Sequence, residues 1–146
     1  WVLLVDDDLM CNLANEAVMK RAGYETVSAS NGASALALME QSAFDLVLLD
    51  INMPVMNGFE VCESLRRIPG YKNTPVLYVT SNGDFQNRAR SVLSGSNGLI
   101  TKPISPRELI VKATTYLLHS SEREVPRIRT VPLDSNAPAE AVGVLA

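Results

Sequence analysis

Short apolar runs alternate along the chain with stretches of helical period. The runs are Val2 to Val5, Thr26 to Ala29, Leu46 to Leu49, Val76 to Val79 and Leu99 to Thr101. Such alternation predicts an α/β fold around a parallel sheet. Leu3-Leu4-Val5, Leu46 to Leu49 and Val76 to Val79 are apolar at every position, as in strands covered on both faces, whereas Glu25-Thr26-Val27-Ser28 alternates. The second strand is therefore expected at an edge.

Between the first two runs, Leu9, Leu13, Ala14, Ala17 and Val18 recur at helical spacing and stop at Gly23, predicting a first helix with those residues as its apolar stripe. Shorter helical patterns cover 33–41, 59–68 and 85–93. Ser105-Pro106-Arg107-Glu108 supplies an N-cap, a first-turn proline and a capping-box glutamate for a last helix running to about His119. Asn31-Gly32, Pro69-Gly70 and Ser96-Asn97-Gly98 read as turns. After His119 come Glu122-Arg123-Glu124, prolines at 126, 132 and 138, and a small-residue end, with no amphipathic period. Residues 1–119 are expected to form one domain and 120–146 a C-terminal extension or linker.

The chemistry gathers where strands end. Val2 to Val5 empties into Asp6-Asp7-Asp8, and Leu46 to Leu49 into Asp50. Acids that repel one another at buried strand ends need a cation or a proton to hold them together, which points to a divalent-metal site. The fourth and fifth strands deliver Thr80 and Lys102 to the same edge, the carboxyl end of an open parallel sheet where ligands bind. Carboxylates, a hydroxyl and an amine together suit metal-assisted phosphoryl transfer. Asp8, third in the acidic run, reads as a charge in the first turn of the following helix.

With these pieces in order, the chain resembles the receiver domains of two-component response regulators, and is similar to the single-domain chemotaxis members of that family. The resemblance runs from residue 1 to about 119. It rests on Leu3-Leu4-Val5-Asp6-Asp7, on Asp50-Ile51-Asn52-Met53-Pro54 with Gly58, on Val79-Thr80-Ser81 and on Lys102-Pro103, separated by thirty positions from Asp50 to Thr80 and twenty-two from Thr80 to Lys102. It implies a flavodoxin-like five-stranded parallel sheet in the order 2-1-3-4-5 with helices on both faces. It also implies that Asp50 accepts a phosphoryl group from a histidine kinase or phosphotransfer protein, and that Mg²⁺ is bound by Asp6, Asp7, Asp50 and the carbonyl of Asn52. In the same pattern Thr80 bonds a phosphoryl oxygen and Lys102 pairs with Asp50, then with the phosphoryl group. The family usually makes the bond corresponding to Lys102-Pro103 cis, and places at the positions of Asn52 and Asn82 residues that tune hydrolysis.

The sequence departs from the pattern at Leu99, where many receivers carry an aromatic that turns inward on activation, and at Ser96-Asn97-Gly98. The family-level output is a surface of the fourth helix, fifth strand and fifth helix, to which Arg88, Arg90, Arg107 and Lys112 could add charge and through which homodimers form. A pseudo-receiver that keeps the fold without phosphorylation is the competing reading. An aspartyl-phosphate phosphohydrolase is a third, weakened by Asn52 standing where that class needs a second acid.

Composition narrows the rest. At 146 residues and 47% hydrophobic content the chain supports one domain with a core. A net charge of -3 provides no basic field for nucleic acid, so direct DNA binding is not expected. Cys11 and Cys62 lack metal-ligand spacing and read as reduced packing thiols. No apolar stretch is long enough to span a bilayer, and a cytoplasmic protein without membrane partners is expected. The expected activity is signalling, with self-phosphorylation and self-dephosphorylation only.

Overall fold

A computed structural model describes residues 1–81 and 97–128. Five strands, β1 (Val2–Val5), β2 (Thr26–Ala29), β3 (Leu46–Asp50), β4 (Val76–Thr80) and β5 (Gly98–Thr101), pair in parallel in the order β2-β1-β3-β4-β5. β2 thus lies at an edge, as its alternating pattern predicts, and β1, β3 and β4 are buried along their whole length.

The helices cover both faces. Successive side chains of a strand point to opposite sides, so Leu3, Val5, Val47 and Leu49 pack under α2 (Gly32–Gln41) and α3 (Gly58–Leu65), against Ala35, Met39, Phe59, Val61 and Leu65. Val2, Leu4, Leu46 and Leu48 pack on the other side against Met19 of α1 (Leu9–Arg21) and Leu109 and Ala113 of the C-terminal helix (Pro106–Ile128). α3 opens with a full capping box between Asn57 and Glu60.

Three expectations from the sequence are corrected. The stripe Leu9, Leu13, Ala14 and Ala17 does not face the core: Leu9 is 69% and Leu13 49% exposed, and Asn12, Asn15 and Met19 are turned inward instead. The helix starts from Asp8, whose side chain accepts from the Met10 N–H, and the rotation set there brings the Asn12 amide within hydrogen-bond reach of the Asp6 and Ala29 carbonyls. Asp8 is accordingly the N-cap rather than a first-turn charge. The C-terminal helix also continues past His119 to Ile128. Glu122, Arg123 and Glu124 are good helix formers, which carries the helix beyond the end of the amphipathic pattern.

The predicted helix at 85–93, with Asn82, Arg88, Arg90 and Ser96, lies outside the described residues, as does the chain beyond 128.

Candidate functional site

The site forms because β1 and β3 neighbour one another in register, Val5 opposite Leu49, so the residues that follow them leave the sheet together. One carboxylate oxygen from each of Asp6, Asp7 and Asp50 lies within 4.8 Å of the others. Asp6 and Asp50 are buried and Asp7 is exposed. Lys102 enters from the end of β5, its Nζ 3.1 Å from Asp6 Oδ2 and 3.7 Å from Asp50 Oδ2. The Lys102-Pro103 bond is cis.

Asn52 links the third strand to the fourth. Its backbone N–H donates to Asp50 Oδ1 at 3.2 Å, and its Nδ2 donates to Thr80 Oγ1 at 3.3 Å. Thr80 is fully buried. Gly58 permits the tight return of the chain beneath Asp50: its N–H donates to the Ile51 carbonyl, and an added Cβ would stand 2.5 Å from the Asp50 carbonyl oxygen.

Crowding the carboxylates has the electrostatic result expected. Burial, then the neighbouring Asp6 carboxylate, push Asp50 from 3.8 to about 6, with Lys102 opposing. Burial pulls on Lys102 in the other direction, but its hydrogen bond to Asp6 and the charges of Asp50 and Asp6 outweigh that and raise it. The cluster is therefore short of positive charge. Its donors are hard oxygens with room on the exposed Asp7 side, which fits Mg²⁺.

All six residues singled out from the sequence, Asp6, Asp7, Asp50, Asn52, Thr80 and Lys102, converge here. Leu99 is half-buried and packs against the core, and its carbonyl accepts from Lys112 Nζ at 2.9 Å. Lys112 also pairs with Glu108 and is thus engaged on its own domain. The sequence reading overlooked Asn12, whose amide binds the Asp6 carbonyl. The spacing of 12, 15 and 19 is itself helical, and its signal was hidden because two of the three residues are polar.

A family model described as Response regulator receiver domain matches residues 2–114. The transcriptional regulatory protein ResD of Bacillus subtilis is 33% identical over 121 residues, covering 83% of this chain and 49% of ResD. The phosphate regulon transcriptional regulatory protein PhoB of Pseudomonas aeruginosa is 33% identical over 144 residues, covering 99% of this chain and 58% of PhoB. The chain thus spans about half the length of the curated relatives it matches. Among solved structures, the chemotaxis protein CheY4 of Vibrio cholerae superposes with a TM-score of 0.75 at 34% identity, over 80% of this chain and 96% of that one. A CheY-like receiver domain protein from Methanospirillum hungatei gives 0.78 at 29% identity, over 84% and 96%.

Proposed function

Because the chain belongs to the response regulator receiver family, we propose that it is a phosphorylation-dependent signalling switch with Asp50 as phosphoacceptor. The observation that carries this reading is the meeting of three carboxylates within 4.8 Å, with Lys102 bridging two of them. A structural ion-pair network would balance its charges; this one leaves an excess of negative charge on buried oxygens.

Asp50 acts as the nucleophile. One of its oxygens forms a bond to phosphorus while the bond from phosphorus to the donor breaks, to nitrogen in a phosphohistidine or to oxygen in acetyl phosphate. Asp7 would ligate Mg²⁺ directly and Asp6 largely through water, with Asp50 and the Asn52 carbonyl completing the protein's share. When bound, Mg²⁺ supplies positive charge to the phosphoryl oxygens and helps orient them. Lys102 moves its ammonium from the carboxylates to the phosphoryl group, and the Thr80 hydroxyl donates to another of its oxygens. The chain acts on itself and does not turn over external substrates.

The phosphodonor is a histidine kinase or phosphotransfer protein. Leu9 and Met10, each 69% exposed beside the acidic cluster, offer an apolar rim for such a partner. Phosphorylation alters the output surface of the fourth helix, β5 and the C-terminal helix, through which a homodimer forms; the fourth helix, at 85–93, lies outside the described residues. The names of the relatives favour transcription as the process controlled. No helix among the described residues is long and apolar enough to cross a membrane.

Incubation with acetyl phosphate and Mg²⁺, followed by intact mass, tests the reading. The parent should gain one phosphoryl group, and Asp50→Asn or metal-free protein none. A folded parent that binds Mg²⁺ yet stays unmodified by acetyl phosphate and by a phosphohistidine donor would instead be a pseudo-receiver.

A further inference from the structure

Asn12 has no place in the chemistry above, yet it is 5% exposed on a helix whose leucines face solvent. Its Nδ2 donates to the carbonyl of Asp6 at 3.0 Å and to that of Ala29 at 3.1 Å. These carbonyls lie at the outgoing ends of β1 and β2: Ala29 belongs to the last register pair, with Val5, and Asp6 follows it. The sheet ladder provides Ala29 with one donor, the Asp6 N–H at 3.2 Å. The Asp6 carbonyl belongs to the peptide plane that leads into Asp7, so holding that oxygen sets the direction in which Asp7 leaves the strand. A second bond, from the Asp8 N–H to Asp6 Oδ1 at 2.9 Å, holds the side chain of Asp6 in turn.

Packing alone does not account for an asparagine here. Its Oδ1 is buried with no partner, an arrangement that costs free energy and that a leucine of similar size would avoid. What leucine cannot do is satisfy two strand-end carbonyls with one amide. We propose that Asn12 is a positioning residue: it locks the Asp6-Asp7 peptide so that both carboxylates meet Asp50 ready to receive the cation. This rests on the reading of the acidic cluster as a Mg²⁺ site.

The test is calorimetric titration of Mg²⁺ into the full chain, without phosphodonor. Asn12→Leu is compared with the parent, with Asn12→Gln, which keeps the amide, and with Met19→Ala, which loosens the same helix face without touching the strand ends. Asn12→Leu should weaken Mg²⁺ binding about tenfold, the scale of losing a partner behind a metal ligand. Asn12→Gln and Met19→Ala should stay within about threefold of the parent. In metal-free protein the Asp7 and Asp8 amide resonances should shift in Asn12→Leu and not in Met19→Ala. If Asn12→Leu does not fold, Asn12→Ala takes its place with the same expectation. Parent-like affinity in the variant, or an equal loss in Met19→Ala, overturns the proposal alone. A parent that binds no Mg²⁺ overturns it together with the reading beneath it.

Discussion

Lys102 is paired more closely with Asp6 than with Asp50, at 3.1 Å against 3.7 Å. Its ammonium therefore serves two carboxylates at once, and neither buried acid has it to itself. The family pattern assigns the lysine to the phosphoacceptor; here it stands nearer the flanking acid, placed to neutralise the pair.

Removing that ammonium should leave two buried carboxylates uncompensated. Lys102→Met is expected to lose about 3 kcal/mol at pH 7 without metal, the scale for breaking a buried pair by deleting one partner. It should also accumulate phosphoryl group at least about tenfold more slowly, since the amine is absent from the transition state. Urea unfolding and timed mass spectrometry read the two effects, and a variant with parent stability would contradict the first.

Asp50 should make the metal-free protein less stable as pH rises. Its acid lies at about 6 when folded against 3.8 ordinarily, so between those values the folded chain holds a proton that the unfolded chain has lost. Stability attributable to this group is present below about pH 4, falls through the window and stays lost above about 6. Asp50→Asn escapes the penalty and should exceed the parent by about 1 to 3 kcal/mol at pH 7, the two converging near pH 4. Urea midpoints in chelator across that range decide it; a difference independent of pH would be a contrary result.

Asn15 offers a gain in stability. It is 6% exposed, and no hydrogen bond to its side chain occurs among the described residues. It lines an apolar groove of about 250 Å³ with Val18, Pro103 and Ile104. Asn15→Leu should raise stability by about 1 kcal/mol by adding buried apolar surface to that groove. Thermal unfolding would show the midpoint moving up; a fall would mean that the groove cannot take the branched side chain.

Gly58 has no space for a side chain. Gly58→Ala places a Cβ 2.5 Å from the Asp50 carbonyl oxygen and 2.8 Å from the Ile51 Cα, both backbone atoms, so the loop after β3 must move. A loss of about 1 to 3 kcal/mol is expected, with slower phosphorylation because Asp50 moves with that loop. Parent-like stability together with a parent-like rate would count against this account.

Val55 is strained in the same loop. It is a β-branched residue with φ of 70°, and it is fully exposed, so no packing repays the conformation. Val55→Asn should stabilise the fold by about 0.5 to 1 kcal/mol, because asparagine tolerates the left-handed region. Chemical denaturation should give a higher midpoint with an unchanged slope.

The acidic and hydroxyl part of the strand-end chemistry was legible in the sequence because Asp6, Asp50 and Thr80 each close a run of four buried apolar positions, and a polar residue there has only the sheet edge to occupy. Lys102 follows the partly exposed β5 and was legible through its spacing from Thr80 and the proline after it. The edge position of β2 was legible because Glu25-Thr26-Val27-Ser28 alternates where its neighbours do not, whereas the full strand order followed from the family resemblance. The inward face of α1 was not. Asn12 turns inward to donate to the carbonyls of Asp6 and Ala29, and Ala29 is seventeen positions away in the chain, beyond the reach of any local period. The end of the C-terminal helix was not legible because the amphipathic period stops near His119, while Glu122, Arg123 and Glu124 have the intrinsic preference to continue the helix.

Leu99 and Ile100 are successive residues of β5, and they belong to opposite cores, Leu99 packing with the α2 and α3 side and Ile100 with the α1 and C-terminal helix side. Only Thr101 separates them from Lys102. A strand at the sheet's edge would ordinarily be its most compliant member, but this one is gripped from above and below. A pull on the lysine by an arriving anion would therefore bear on side chains packed into both helical layers, with a leucine rather than an aromatic at position 99.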